Sequence, residues 1–140
     1  MRRMAPDEPD DIAEAASGPF KGRTGLDRVY HAFMNSCAGL ASACDESAFR
    51  QELLLAAILV PVAFVVPVAA VERALLIAVV LLVLVVELLN TGVEVAIDRI
   101  SLDRHPLSKR AKDIGSAAVL IALVLCVVVW AVVLVPRLAG

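Results

Sequence analysis

The stretch ALLIAVVLLVLVVELLNTGVEVAID, residues 74–98, decides the fold. Its first thirteen residues, Ala74 to Val86, are apolar without interruption, and with the residues that follow they supply enough helix to cross a hydrocarbon core. Glu87 stops the run, and Asn90, Glu94 and Asp98 follow it at offsets of 3, 7 and 11. At roughly 100° per residue, these four polar groups fall within about 80° of one helix face. A carboxylate at membrane depth is costly and marks a functional site. A stripe of four polar groups therefore predicts cation and proton chemistry at the membrane surface.

Composition agrees with that reading. Of the 140 residues, 60% are hydrophobic and only 20% charged, which places the chain among integral membrane proteins. Three membrane helices are too few to wall off a polar site, so a symmetric homo-oligomer is expected. Cys37, Cys44 and Cys126 are odd in number and lack metal-ligand spacing, so they read as small apolar fillers.

Working outward, residues 1–25 carry Asp7, Glu8, Asp10, Asp11 and Glu14 among prolines and glycines, without apolar periodicity. This is the composition of a disordered acidic tail, and it lacks the apolar core of a secretory signal. The membrane domain then covers 26–140. From Leu26, the residues Val29, Tyr30, Phe33, Met34, Cys37 and Leu40 recur at helical offsets, which predicts an amphipathic surface helix over about 26–44. Three spans follow, at about 50–70, 74–100 and 112–135. The first holds the uncharged run Leu53 to Ala70 with Pro61 and Pro67 inside it, kinks that a helical bundle tolerates. The third opens on the small residues Gly115, Ser116, Ala117 and Ala118, which let another backbone approach closely.

The loop from Arg99 to Lys112 carries Arg99, Arg104, Lys109, Arg110 and Lys112, whereas the Val71 to Arg73 hairpin carries one Arg and one Glu. The positive-inside rule makes the longer loop cytoplasmic, and with it the surface helix and the segment from Glu46 to Glu52. Three clusters converge on that side: Glu46, Gln51 and Glu52; Glu87, Asn90, Glu94 and Asp98; Lys112, Asp113 and Ser116. Carboxylates such as Glu46 and Glu94 suit Mg²⁺, while Lys112 and Arg28 suit phosphate oxygens. Acids, cations and a metal site together point to phosphoryl transfer, in which the protein positions the reactants and neutralises developing charge.

Simpler roles account for other residues. Asp98 and Arg99 fit an interfacial helix end, Lys109 and Arg110 fit topology signals, His105 before Pro106 fits a turn, and Trp130 fits a lipid-facing or packed position. No phosphate loop, zinc spacing or nucleophile elbow is present. Nor is there the basic patch with interleaved aromatics of a nucleic-acid binder.

Glu87-Leu88-Leu89-Asn90-Thr91-Gly92-Val93-Glu94, Asp98-Arg99-Ile100, His105-Pro106-Leu107-Ser108-Lys109-Arg110-Ala111-Lys112-Asp113, Gly115-Ser116-Ala117-Ala118-Val119 and Ala48-Phe49-Arg50-Gln51-Glu52 stand in this order. Over about 28–135 the chain resembles the prokaryotic diacylglycerol kinase family, small integral-membrane lipid kinases that include undecaprenol kinases. The resemblance implies an all-α homotrimer in the bacterial inner membrane, with three transmembrane helices and a surface helix in each protomer and a cytoplasmic active site. It implies transfer of the γ-phosphate of Mg-ATP to a lipid hydroxyl, most simply from diacylglycerol to phosphatidic acid. By motif, Glu87 would be the proton acceptor with Asn90 beside it, and Glu46 and Glu94 would hold the metal at the ATP phosphates. Lys112, Asp113, Asp103, Arg104, His105 and Arg28 would contact the nucleotide. Arg28, Ala48, Phe49, Arg50, Gln51, Glu52, Glu87 and Ser116 would receive the lipid. An undecaprenol kinase is the alternative within the family. Outside it, a proton-coupled transporter would use Glu87 but would not need Lys112, Asp113 and Arg28 on the same side.

Overall fold

The structure, a computed structural model, describes residues 25–100 and 105–138. Among them the chain forms four α-helices and no strand: α1 (Leu26–Ala43), α2 (Ser47–Val65), α3 (Ala70–Ile100) and α4 (Pro106–Leu138). The acidic tail expected over 1–25 lies outside the described residues except for Gly25, whose φ of 69° leads into α1. The chain divides into two compact units, 1–39 and 40–140.

In the first unit the apolar residues predicted for the surface helix, Leu26, Val29, Tyr30, Phe33 and Met34, all lie on α1 and are exposed. The second unit holds α2, α3 and α4, each long and apolar enough to cross a membrane. The central helix, α3, packs against both of the others. Its Leu76, Val79, Val80 and Val83 are buried, a stripe at helical offsets 0, 3, 4 and 7. They meet small side chains, Ala56 and Ala63 from α2 and Ala122 and Cys126 from α4. With lipid on the outside, such helices are held by close packing rather than by hydrophobic exclusion, and small residues permit the approach.

The helix ends show where local chemistry overrides apolar length. Pro61 lies inside α2 as expected, but Pro67 does not: α2 stops at Val65 and Val66 is extended, with ψ at 140°. A residue preceding proline is pushed out of the helical region. Pro67 also has no N–H to offer the Ala63 carbonyl one turn back. Arg73 from α3 fills the gap, its Nε donating to the Ala63 oxygen at 3.0 Å.

At the other end of the unit α4 begins at Pro106, six residues before the span expected from about 112. Pro106 is preset for the first helical position. His105 caps it: its carbonyl accepts from Lys109 N and its Nδ1 accepts from Leu107 N at 3.2 Å. Trp130 is packed between helices, its Nε1 donating to the Leu76 carbonyl at 3.2 Å. Arg137 closes the end of the unit holding the α2–α3 hairpin, donating to both carboxylate oxygens of Glu72 at 2.8 and 2.7 Å.

Candidate active site

The buried stripe of α3 does not end with its valines. Eleven residues, about three turns, beyond Leu76 it reaches Glu87, which is 4% exposed and is the buried charged residue among those described. Its carboxylate faces into the bundle and away from the lipid-facing surface. There the three helices part to leave a cavity of about 290 Å³. The start of α2 contributes Glu46, Ser47, Ala48 and Glu52, α3 contributes Glu87, Asn90, Thr91 and Glu94, and α4 contributes Ser116 and Val119.

Each wall has a local cause. Glu46 occupies the N-cap of α2, where a carboxylate is favoured by the helix dipole, yet its side chain makes no capping bond and is left for the cavity. Glu52 follows on the same helix, with Oε2 buried and unpaired. On α3, Asn90 donates from Nδ2 to Glu94 Oε1 at 3.5 Å, and its own Oδ1 is buried without a partner. The carboxylates of Glu46, Glu52 and Glu94 all lie within electrostatic reach of Glu87. Four acids and an unpaired amide oxygen around one cavity at membrane depth call for a proton donor or a cation from outside the chain.

Among the described residues, no group of three or more His, Cys, Asp or Glu side chains is arranged to hold a metal. The donors present nonetheless fit a hard divalent ion. Glu46 from the start of α2 and Glu94 from α3 bring carboxylates to the same cavity, and Mg²⁺ takes one or two carboxylates and completes its shell with water and phosphate.

Of the residues singled out from the sequence, the cavity unites Glu46, Ala48, Glu52, Glu87, Asn90, Glu94 and Ser116. Others stand elsewhere. Phe49 is 2% exposed and packs as core. Gln51 is exposed, and Arg50 donates to the Cys44 and Asp45 carbonyls at 3.1 and 2.7 Å, fastening the α1–α2 turn. Lys112 pairs with Asp98 at 2.7 Å, Asp113 pairs with Lys109 at 2.6 Å, and His105 caps α4. Arg28 belongs to the first unit, and Asp103 and Arg104 lie outside the described residues.

The cavity also includes Ser47, Thr91 and Val119, which the sequence reading passed over. Helical spacing carries a signal for two of them: Thr91 is four residues after Glu87 and Val119 three after Ser116, each on the face of a residue already chosen. Ser47 is spaced likewise from Arg50 and Gln51, but neither of those lines the cavity, so its spacing points away from the site.

The family Prokaryotic diacylglycerol kinase matches residues 34–134. A diacylglycerol kinase of Pseudomonas aeruginosa is 56% identical over 117 residues, covering 83% of this chain and 95% of its own. One from Haemophilus influenzae is 47% identical over 108 residues, covering 76% of this chain and 92% of its own. One from Escherichia coli K12 is 46% identical over 112 residues, covering 79% of this chain and 92% of its own.

Proposed function

This chain belongs to the prokaryotic diacylglycerol kinase family and is a lipid kinase; from that premise we propose that it transfers the γ-phosphate of ATP to the primary hydroxyl of diacylglycerol at the cytoplasmic face of the inner membrane. The observation that carries the reading is the cavity itself, where Glu87 from the buried face of α3 meets Glu46, Glu94 and Asn90 close to the end of the bundle. A lipid hydroxyl can reach a base held at that depth, and a soluble nucleotide can approach from the loop end.

Glu87 takes the proton of the hydroxyl as its oxygen bonds to the γ-phosphorus and the bridging bond to ADP breaks. Asn90, one turn along the same face, stands beside the base and steadies Glu94 through Nδ2. Glu46 and Glu94 would hold Mg²⁺, which when bound neutralises charge on the ATP phosphates. Glu52, Ser116 and Ala48 line the way in for the lipid. Lys112, released from Asp98, and Asp113 meet the nucleotide, joined by Asp103, Arg104 and His105. Three protomers assemble around the apolar faces, and α1 lies along the membrane surface.

Purified protein mixed with radiolabelled ATP and either diacylglycerol or undecaprenol tests the reading, because only a kinase makes labelled lipid and the labelled species names the substrate. Glu87→Gln keeps the side-chain shape and should lose at least about a hundredfold in turnover while the helical fold and assembly persist. Near-normal turnover by that variant removes Glu87 from the role of base.

A further inference from the structure

Asn90 owes its place to an atom that is missing from the facing helix. Gly115, in the fourth helix, stands against it: a Cβ built there would overlap Asn90 Oδ1 and lie 3.3 Å from Asn90 Cγ. The backbone of α4 is not the obstacle, since the overlapping atoms belong to the tip of the Asn90 side chain. Any residue larger than glycine at 115 would therefore swing the carboxamide out of its seat.

That seat fixes two contacts at once. Nδ2 reaches Glu94 Oε1 at 3.5 Å, already at the edge of hydrogen bonding, and Oδ1 is held buried and unpaired against Gly115. Ser116, next in the chain, lines the same cavity. The open space at Gly92 is a contrast: a Cβ there would meet nothing within 4 Å. Close approach, rather than a general wish for small residues, is what sets Gly115 apart.

We infer that Gly115 is a positioning residue for the transfer reaction: lacking a Cβ, it gives the Asn90 carboxamide the room to lie between Glu87 and Glu94 with its Nδ2 on the Glu94 carboxylate. The inference rests on the catalytic reading of Asn90 given above. A misplaced reacting or orienting group costs rate rather than fold, because the displaced tip is flexible while its new position is wrong.

The test compares the full chain in detergent micelles with its Gly115→Ala and Asn90→Ala variants by steady-state kinetics with ATP and diacylglycerol, thermal unfolding, and the Asn90 side-chain amide signal in ¹⁵N-labelled protein. That signal is assigned by its loss in Asn90→Ala. Gly115→Ala should lower kcat by about tenfold to a hundredfold, leave KM for ATP within about twofold and keep the unfolding midpoint within about 2 °C, while the Asn90 amide signal moves. Turnover within twofold of wild type with that signal unmoved overturns the inference. So does a fall in kcat with the Asn90 signal in place, since the glycine then acts by another route. If Asn90→Ala itself turns over normally, the assignment of Asn90 fails and the inference falls with it; if Asn90→Ala is inactive and Gly115→Ala is not, the inference fails alone.

Discussion

Glu94 and Glu87 share one face of one helix but not one environment. Glu87 is 4% exposed at the end of the buried apolar stripe, whereas Glu94, seven residues and about 10 Å nearer the loop, is half-buried and accepts the Asn90 amide. The deeper acid suits proton transfer to a lipid hydroxyl, and the shallower one suits a hydrated cation shared with phosphate. Glu94→Ala should raise the Mg-ATP concentration needed for half-maximal rate by about tenfold or more while the half-saturating lipid concentration stays within about twofold. Titrating ATP at fixed lipid, then lipid at fixed ATP, measures both. Unchanged ATP and Mg²⁺ dependence would remove Glu94 from the metal. The offsets of 3 and 7 make this stripe legible in the sequence, because helical periodicity is a property of sequence alone, whereas Asp98 at offset 11 is exposed and pairs with Lys112 outside the cavity. The seat of Asn90 was not readable, since it depends on which residue of a distant helix comes to face it.

At the scale of the elements, two prolines in α2 show what periodicity and length leave out. An uncharged run of eighteen residues from Leu53 to Ala70 satisfies the length of a span with Pro61 and Pro67 treated alike. Pro61 is accommodated within the helix, whereas Pro67 follows an extended Val66 and ends it. The difference lies in a residue on another element. Arg73 donates to the carbonyls of Ala63 and Val66 at 3.0 and 3.4 Å, the first of them a group that Pro67 cannot reach. Ala63 is itself fully buried, so that carbonyl has little recourse to water. Arg73→Ala should therefore cost about 1–3 kcal/mol of stability, read as a lower unfolding midpoint with the kinetic constants of the folded enzyme unchanged, because the cavity lies at the other end of the unit. A midpoint equal to wild type would mean that the Ala63 carbonyl finds another donor. The early start of α4 was more legible: proline at a first helical position with a capping residue before it is a local signal, and His105–Pro106 carries it.

For the whole molecule, the direction in which the bundle crosses the membrane decides whether the cavity can meet ATP at all. Within the second unit, Lys112 joined to Asp98 marks one end and Arg137 joined to Glu72 marks the other. The cavity lies toward the first of these. The same end carries Arg99, Lys109, Arg110 and Lys112, against Arg73 and Arg137 at the other, where Glu72 takes up Arg137. Basic residues in short loops are retained in the cytoplasm, so the charge asymmetry and the site predict the same orientation from independent grounds. A variant with Cys37, Cys44 and Cys126 replaced by Ala can carry a single new cysteine at either end. Arg110→Cys and Val71→Cys suit the purpose, both being exposed. A membrane-impermeant maleimide should label Arg110→Cys in inside-out vesicles and Val71→Cys in spheroplasts, each at least about tenfold more than in the opposite preparation, because a charged reagent does not cross hydrocarbon. The reverse pattern would put the carboxylates on the side without ATP. The family's chemistry would then have to proceed from the wrong face of the membrane, which no rearrangement within the cavity could repair.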